Sequence, residues 1–378
     1  MIYLDNAATT FPKPPEVTNA MSYAMRNYSA NPGRSGHNLS IKAATEIYDC
    51  RKLVSEFFNA KCEECVVFTL NCTHAANIVL KGLLKPGDHV VVSCLEHNSI
   101  MRPLKKLEEK GISYTKATVY PGDNDATVNS FRESLNKYTR LIVCMHASNV
   151  WGVRFPIERI SALAHEYNIP ILVDAAQSAG VLPIDIEDYK IDYLCTAGHK
   201  GLYGPMGTGL LIARNADSVD SLMEGGTGTN SVDLKQPSDM PDKFESGTPN
   251  VPGIIGLRAG IQYIKSRGMD NIAKHEYRLI NMLYDGLSSM KHVKLYMQRP
   301  DNRYFVPLLS FNIEGKDSES VAEYLNNNNV AVRAGMHCAP EAHEFCHTLD
   351  TGAVRVCPSI FTREREINYL LSLIRKLQ

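Results

Sequence analysis

The stretch that decides the fold begins Pro170-Ile171-Leu172-Val173-Asp174-Ala175-Ala176-Gln177. It resumes at Asp192-Tyr193-Leu194-Cys195-Thr196-Ala197-Gly198-His199-Lys200-Gly201-Leu202-Tyr203-Gly204-Pro205. Each half is a short apolar run that ends abruptly in polar residues, as a strand buried on both faces does. Outward from it, Val66–Leu70, His89–Cys94, Leu141–His146 and Gly209–Ala213 read the same way. Amphipathic stretches near Ala75–Leu83, Ser99–Lys110, Val128–Lys137 and Pro156–Tyr167 lie among them. In the last of these Ile157, Ile160, Leu163, Ala164 and Tyr167 recur at helical spacing. Strand and helix in alternation predict an α/β fold with a mainly parallel sheet sandwiched by helices. Ligands of such sheets gather at the carboxyl ends of the strands.

From about residue 216 to 250 the pattern dissolves into Gly, Thr, Ser, Asp and Pro, a loop long enough to be functional or disordered. Beyond it Val251–Lys265 and Ile272–Lys291 read as helices. Tyr304–Ile313, Ser318–Asn327, Val330–Arg333, Ala353–Cys357 and Arg363–Lys376 then read as strand, helix, strand, strand, helix, a smaller α+β domain. The expected division is a large domain over 15–255 and a small one made of 1–14 and 256–378.

At 378 residues the chain exceeds one ordinary domain. It is 44% hydrophobic and 21% charged, with 40 basic against 41 acidic residues, so neither a nucleic-acid nor a membrane surface is expected. No apolar run approaches the roughly 18 residues of a membrane helix, and Met1-Ile2-Tyr3-Leu4-Asp5 is too polar for a signal peptide. Ten cysteines in a chain this long do not look like a secreted disulfide framework. Cys94, Cys144 and Cys195 sit in apolar runs as small core residues, and a reducing, cytoplasmic compartment is expected. Cys62-Glu63-Glu64-Cys65 lacks a second pair and reads as incidental.

The chemistry starts at Lys200. A lone lysine is ordinarily a solvated surface residue, but this one ends a buried strand and is followed by a glycine-rich loop. Asp174 likewise follows a buried strand, where a carboxylate needs a cationic or hydrogen-bonding partner. Pyridoxal-phosphate (PLP) chemistry uses both: a lysine for the Schiff base, and a carboxylate that keeps the pyridine nitrogen protonated. Gln177 is placed to reach the phenolic oxygen. Thr69-Leu70-Asn71-Cys72-Thr73-His74-Ala75-Ala76-Asn77 leaves a strand and opens a helix, whose free N–H groups would hold a phosphate with the Thr73 hydroxyl. Taken alone it is an ordinary N-cap. His97, after the next strand, is either a loop histidine or a ring that stacks on the cofactor.

Further stretches share one order along the chain: Tyr3-Leu4-Asp5-Asn6-Ala7-Ala8-Thr9-Thr10, Asn31-Pro32-Gly33-Arg34-Ser35-Gly36-His37, Ser148-Asn149-Val150-Trp151-Gly152, Glu245-Ser246-Gly247-Thr248-Pro249-Asn250, Val332-Arg333-Ala334-Gly335-Met336-His337-Cys338-Ala339 and Val354-Arg355. With Lys200, Asp174 and the Thr73 loop they resemble the class V aminotransferase family, specifically its cysteine desulfurase/selenocysteine lyase branch. The resemblance implies a fold type I PLP-dependent transferase. Lys200 resembles the Schiff-base lysine, Asp174 the pyridine-nitrogen partner and Gln177 a phenolate partner. His97 is similar to the stacking histidine that also moves protons. Asn149 would sit near the phenolate or the substrate carboxylate. Cys72, Thr73 and His199 look like the phosphate cup. Thr248 resembles a residue that reaches the phosphate of a neighbouring subunit, which implies a homodimer. Arg355 looks like the clamp on the substrate carboxylate, a task suited to a bidentate guanidinium, and Arg333 joins it.

Cys338 resembles the cysteine that takes sulfur from substrate as a persulfide. Such a thiol must be accessible and near cations, and Arg333 and His337 flank it. Without that pattern a buried structural cysteine would be the simpler reading. Cys346, His343 and His347 nearby show no zinc-like spacing, and no metal is expected. The departures from the family's pattern are Ala197 where a serine is common, with Thr196 as its replacement or the cup one bond short; Asn71 for a glycine; His74 for a glutamate; and Met336 for a histidine. The short interval from Cys338 to Arg355 resembles the subgroup that passes sulfur to an acceptor protein. The expected reaction converts L-cysteine to L-alanine. Selenocysteine lyase acting on L-selenocysteine, a true aminotransferase and a non-catalytic PLP-binding scaffold remain the alternatives.

Overall fold

The computed structural model describes residues 1–33, 36–229 and 232–377; Arg34 and Ser35 of the Asn31–His37 stretch lie outside the described residues. The chain runs β1 (Ile2–Tyr3), α1 (Pro15–Asn27), α2 (Asn38–Phe58), β2 (Val66–Thr69), α3 (Cys72–Leu83), β3 (His89–Ser93), α4 (Asn98–Glu108), β4 (Ser113–Ala117), α5 (Asn124–Glu133), β5 (Thr139–Met145), α6 (Ile157–Glu166), β6 (Ile171–Asp174), β7 (Tyr193–Ala197) and β8 (Gly209–Ala213). It continues with α7 (Val251–Arg267), α8 (Met269–Ser288), β9 (Val293–Leu295), β10 (Leu309–Ile313), α9 (Ser318–Asn327), β11 (Val330–Ala331), α10 (Pro340–Phe345), β12 (Val354–Val356) and α11 (Glu364–Ile374).

Seven strands form one sheet in the order β2-β8-β7-β6-β5-β3-β4. All neighbours are parallel except β8, which runs antiparallel to both β2 and β7. Because side chains alternate along a strand, each strand feeds two cores. Val91, Ile142, Cys144, Val173 and Leu194 pack on one face, with α2, α6 and α7. Val90, Val92, Val143, Leu172 and Cys195 pack on the other, with α3 and α4. Both faces are covered, which is why these strands read as continuous apolar runs. β4 breaks the rule. It pairs with β3 alone and most of its side chains are exposed. An edge strand of this kind has no apolar run to announce it.

The antiparallel strands β12-β10-β9 make a second sheet, covered by α8, α9 and α11 around Leu279, Leu283, Phe311 and Leu370. β1, from the start of the chain, pairs in parallel with β11. The 216–250 stretch holds no helix or strand among its described residues. No helix among the described residues is long and apolar enough to cross a membrane.

The Lys200 loop is fixed by backbone packing. Gly180 has φ +81°, and a Cβ there would lie 2.2 Å from the Gly201 carbonyl oxygen. One on Gly201 would lie 2.4 Å from the Ala179 carbonyl. Two glycines therefore let the segment after β6 touch the loop after β7. Gly180→Ala is expected to cost at least about 2 kcal/mol through clash and backbone strain. It should lower the urea midpoint with an unchanged slope; an unaltered midpoint would refute the close approach.

Candidate active site

The carboxyl ends of β2, β3, β5, β6 and β7 surround a cavity with about 610 Å³ of open space. Lys200, Asp174, Gln177, His97, Cys72, Thr73, Asn149 and His199 all line it. Residues spread over more than a hundred positions meet there because they lie at or after the carboxyl ends of strands that run the same way in one sheet.

Lys200 is half-buried, and loss of solvation holds its ammonium below the usual lysine range, opposed by the charge of Asp174. Asp174 is 5% exposed; its Oδ1 accepts from the Ala176 amide at 2.9 Å and from the Cys72 thiol at 3.4 Å. Cys72 opens α3, and Asn71, extended in backbone, caps that helix by accepting from the His74 amide at 2.9 Å. The asparagine in place of a glycine is thus a working N-cap. Thr73 is exposed in the first turn, where N–H groups have no partner within the helix.

His97 caps α4. Its Nδ1 accepts from the Ser99 amide at 3.0 Å, so a neutral ring carries its proton on Nε2. Burial lowers its pKa to about 4. Burial does the same for His199, to about 4, and His199 Nδ1 is buried without a partner among the described residues. Its carbonyl accepts from Lys13 Nζ at 2.6 Å. Gln177 Nε2 donates to the Ala7 carbonyl at 3.0 Å. Thr196 does not replace the missing serine: it is fully buried and its hydroxyl donates to the Ala175 carbonyl at 3.2 Å.

Arg355, on β12, is 2% exposed. Its Nη2 donates to Asp5 Oδ1 and its Nη1 to the Asn149 carbonyl, both at 2.8 Å, while Nε has no partner among the described residues. Arg333 lies beside it through a backbone bridge. Asn149 Nδ2 donates to the His337 carbonyl at 2.8 Å, and its Oδ1 is buried and unpartnered among the described residues.

Cys338 is exposed, and its carbonyl accepts from the Asn98 amide at 2.9 Å. It lines a second cavity that shares Thr73, His97 and Ser99 with the first. His337 and Cys338 both hold left-handed backbones, φ +51° and +56°, a strain that persists only where surroundings enforce it. The enforcing contacts include Asn149 on the His337 carbonyl, Trp151 Nε1 on the Ala342 carbonyl at 2.6 Å, and an ion pair of Lys116 with Glu341. Arg333 Nη2 is 3.8 Å from Cys338 Sγ. The expectation that His337 adds a second positive charge fails. It is buried against His343, and loss of solvation drives its pKa to about 2, so it is neutral. Thr248 is not brought to the Lys200 cavity; it is exposed and lines a separate one with Phe68, His74 and Glu245.

The donor set suits PLP. A half-buried amine and a buried carboxylate line one cavity with a helix N-terminus, and two buried polar atoms of lining residues, Asn149 Oδ1 and His199 Nδ1, have no partner among the described residues. Sequence reasoning missed Asp5 as the fixer of Arg355, Lys13 under the Lys200 loop, and Cys195 behind Asp174. Asp5 stood in a quoted stretch, but nothing local marks its distant partner. Cys195 looked like any core cysteine.

Comparison with known proteins agrees with this geometry. The aminotransferase class-V family model matches residues 2–370. A probable cysteine desulfurase of Methanothermobacter thermautotrophicus is 36% identical over 98% of this chain and 92% of its own length. A cysteine desulfurase of Haloferax volcanii is 31% identical over 99% of this chain and 88% of its own. The apo structure of a cysteine desulfurase from Thermococcus onnurineus superposes with a TM-score of 0.92 at 32% identity, covering 100% of this chain and 94% of that one.

A further cavity behind Lys200 is lined by Gln177, Tyr203, Cys357 and Glu276. Burial raises the Glu276 pKa from 4.5 to about 8. Between those values the folded chain holds a proton that the unfolded chain has lost, so this contribution is complete below about 4.5 and lost as pH rises through about 8. Glu276→Gln mimics the neutral acid. From pH 5.5 to 7.5 the parent should lose stability more steeply than the variant, by about 1.4 kcal/mol per pH unit. Parallel denaturation profiles would contradict the assignment.

Proposed function

Because the chain belongs to the class-V aminotransferase family, in its cysteine desulfurase branch, we propose that the Lys200 cavity and the exposed Cys338 divide one reaction between them. The chain is a PLP-dependent cysteine desulfurase: L-cysteine becomes L-alanine and its sulfur becomes a persulfide. The observation that carries the division of roles is the adjacency of the two cavities, joined through Thr73, His97 and Ser99.

Lys200 and Asp174 would hold the cofactor at its aldehyde carbon and its pyridine nitrogen, and the first turn of α3, with Thr73 and His199, its phosphate. Bound there, PLP supplies an electron sink for the substrate α-carbon. Arg355, already oriented by Asp5, binds the substrate carboxylate through the face that includes its unpartnered Nε. Lys200 Nζ takes the α-proton; its lowered pKa favours the free amine that this requires. Neutral His97 offers Nε2–H as a donor beside the cofactor ring. Cys338 Sγ, 3.8 Å from Arg333 Nη2, attacks the substrate Sγ as its thiolate. The Cβ–S bond breaks, Cβ gains a proton, Lys200 Nζ returns one to Cα, and alanine departs, leaving the substrate sulfur on Cys338. Sulfur then passes to a thiol or an acceptor protein.

The same reading makes the chain a cytoplasmic homodimer in which Thr248 reaches the neighbouring subunit's phosphate; its exposure, away from its own Lys200, supports this. It also divides the chain into a large PLP-binding domain over 15–255 and a small one, 1–14 with 256–378, that carries Cys338.

Cys338→Ala should keep the visible absorption of bound PLP and lose about a hundredfold or more of alanine release from L-cysteine. Full release in that variant removes Cys338 from the mechanism. Selenocysteine turnover without cysteine turnover in the parent would make the chain a lyase. Lys200→Ala should abolish the pH-dependent visible band of the lysine-bound cofactor; an unchanged spectrum refutes the lysine assignment.

A further inference from the structure

Three potential ligands from three different elements converge beneath the Lys200 cavity, and the proposed desulfuration leaves all three side chains free of metal and gives Cys195 no part. Cys72 comes from the first turn of α3, Asp174 from the end of β6 and Cys195 from β7. Cys72 Sγ is 3.4 Å from Asp174 Oδ1 and 3.5 Å from Cys195 Sγ. One ligand atom from each lies within 4.8 Å of the others, and the residues are 7%, 5% and 0% exposed. Tetrahedral angles with a metal–sulfur bond of about 2.3 Å and a metal–oxygen bond of about 2.1 Å place neighbouring ligand atoms about 3.6–3.8 Å apart. The two measured contacts are already near that spacing.

We propose that Cys72, Asp174 and Cys195 form a binding site for a thiophilic divalent cation, zinc or cadmium, whose occupancy excludes the cofactor. Two thiolates and one carboxylate are a donor set that such ions take, with the fourth position left to water. Entry is through the cavity, which Cys72 and Asp174 line. Binding breaks two S–H bonds, forms two metal–sulfur bonds and one metal–oxygen bond, and releases two protons to solvent, with no change of oxidation state. The hydrogen bond that it shares with Cys72, together with burial, holds the Cys195 thiol well above its ordinary range, so the ion must displace that proton. The complex carries one net negative charge, and the Lys200 ammonium is near enough to feel the charge of both Cys72 and Asp174. Exclusion follows because Asp174 cannot serve the metal and a pyridine nitrogen at once. That last step rests on the proposed role of Asp174; the metal site itself does not.

The test uses the full chain stripped of PLP, with cadmium as the probe. Cys62→Ser and Cys65→Ser are introduced first, because those two sulfurs are 3.1 Å apart and would take cadmium themselves. One equivalent of cadmium should produce a near-UV thiolate–cadmium band. It should slow PLP uptake, read from visible absorption, at least tenfold, and EDTA should restore the rate. Adding Cys195→Val, with Cys195→Ala as a second variant, should leave PLP uptake intact and remove both the Cys195-dependent band and the slowing. Uptake indifferent to cadmium overturns the exclusion. Equal sensitivity in the Cys195 variants moves the ion to another thiol, such as Cys338, and overturns the site. A Cys195-dependent cadmium band in a chain that takes up no PLP would support the site while defeating the cofactor reading.

Discussion

The guanidinium of Arg355 is almost wholly buried, and a buried charge survives only with partners placed around it. Its partners come from remote parts of the chain. Asp5 arrives from the N-terminus, which is itself pinned by β1 on β11, and the Asn149 carbonyl arrives from the loop after β5. The Arg355 backbone bridges Arg333, five residues before Cys338. The same loop after β5 then holds the His337 and Ala342 carbonyls through Asn149 and Trp151. One cation thus ties the first residues, the large sheet and the Cys338 segment into one arrangement. The left-handed backbone at His337 and Cys338 is affordable because these contacts over-determine it.

Burial also sorts the charges of the site. His97, His199 and His337 are all driven toward neutrality by loss of solvation, to about 4, 4 and 2. Guanidinium groups resist such discharge, because arginine starts far above neutrality. The positive charge beside Cys338 therefore comes from Arg333, not from the histidine adjacent to it in sequence. The neutral His97 is free to act as a hydrogen-bond donor. Neighbours along the chain are a poor guide to electrostatics wherever one residue is exposed and the next is not, as Cys338 and His337 are.

The core strands were legible because covering both faces of a sheet forces continuous apolar sequence; Gly209–Ala213 stands at its expected limits, and the other five differ only at their ends. Chain direction was not legible, since an apolar run says nothing of orientation, and β8 proved antiparallel. β4 escaped because its exposed side chains carry no pattern. Most of the Lys200 cavity could be named in advance, since its residues follow strands of one sheet. Of the two outcomes open at Ala197, the cup one bond short is the one observed, because the Thr196 hydroxyl turns to the Ala175 carbonyl, a direction that no local pattern records.

Sequence alone determined six core strands of the sheet, the cluster of polar residues at their carboxyl ends, and the family likeness that gives those residues an order. These are local or collinear properties, readable from periodicity and motif. Tertiary structure alone decided which groups are charged, that Asp5 orients Arg355, that Cys338 opens beside His97, and that two ordinary-looking cysteines meet at Asp174. Those facts depend on desolvation and on contacts between residues far apart in the chain, and neither quantity is written in any single stretch of it.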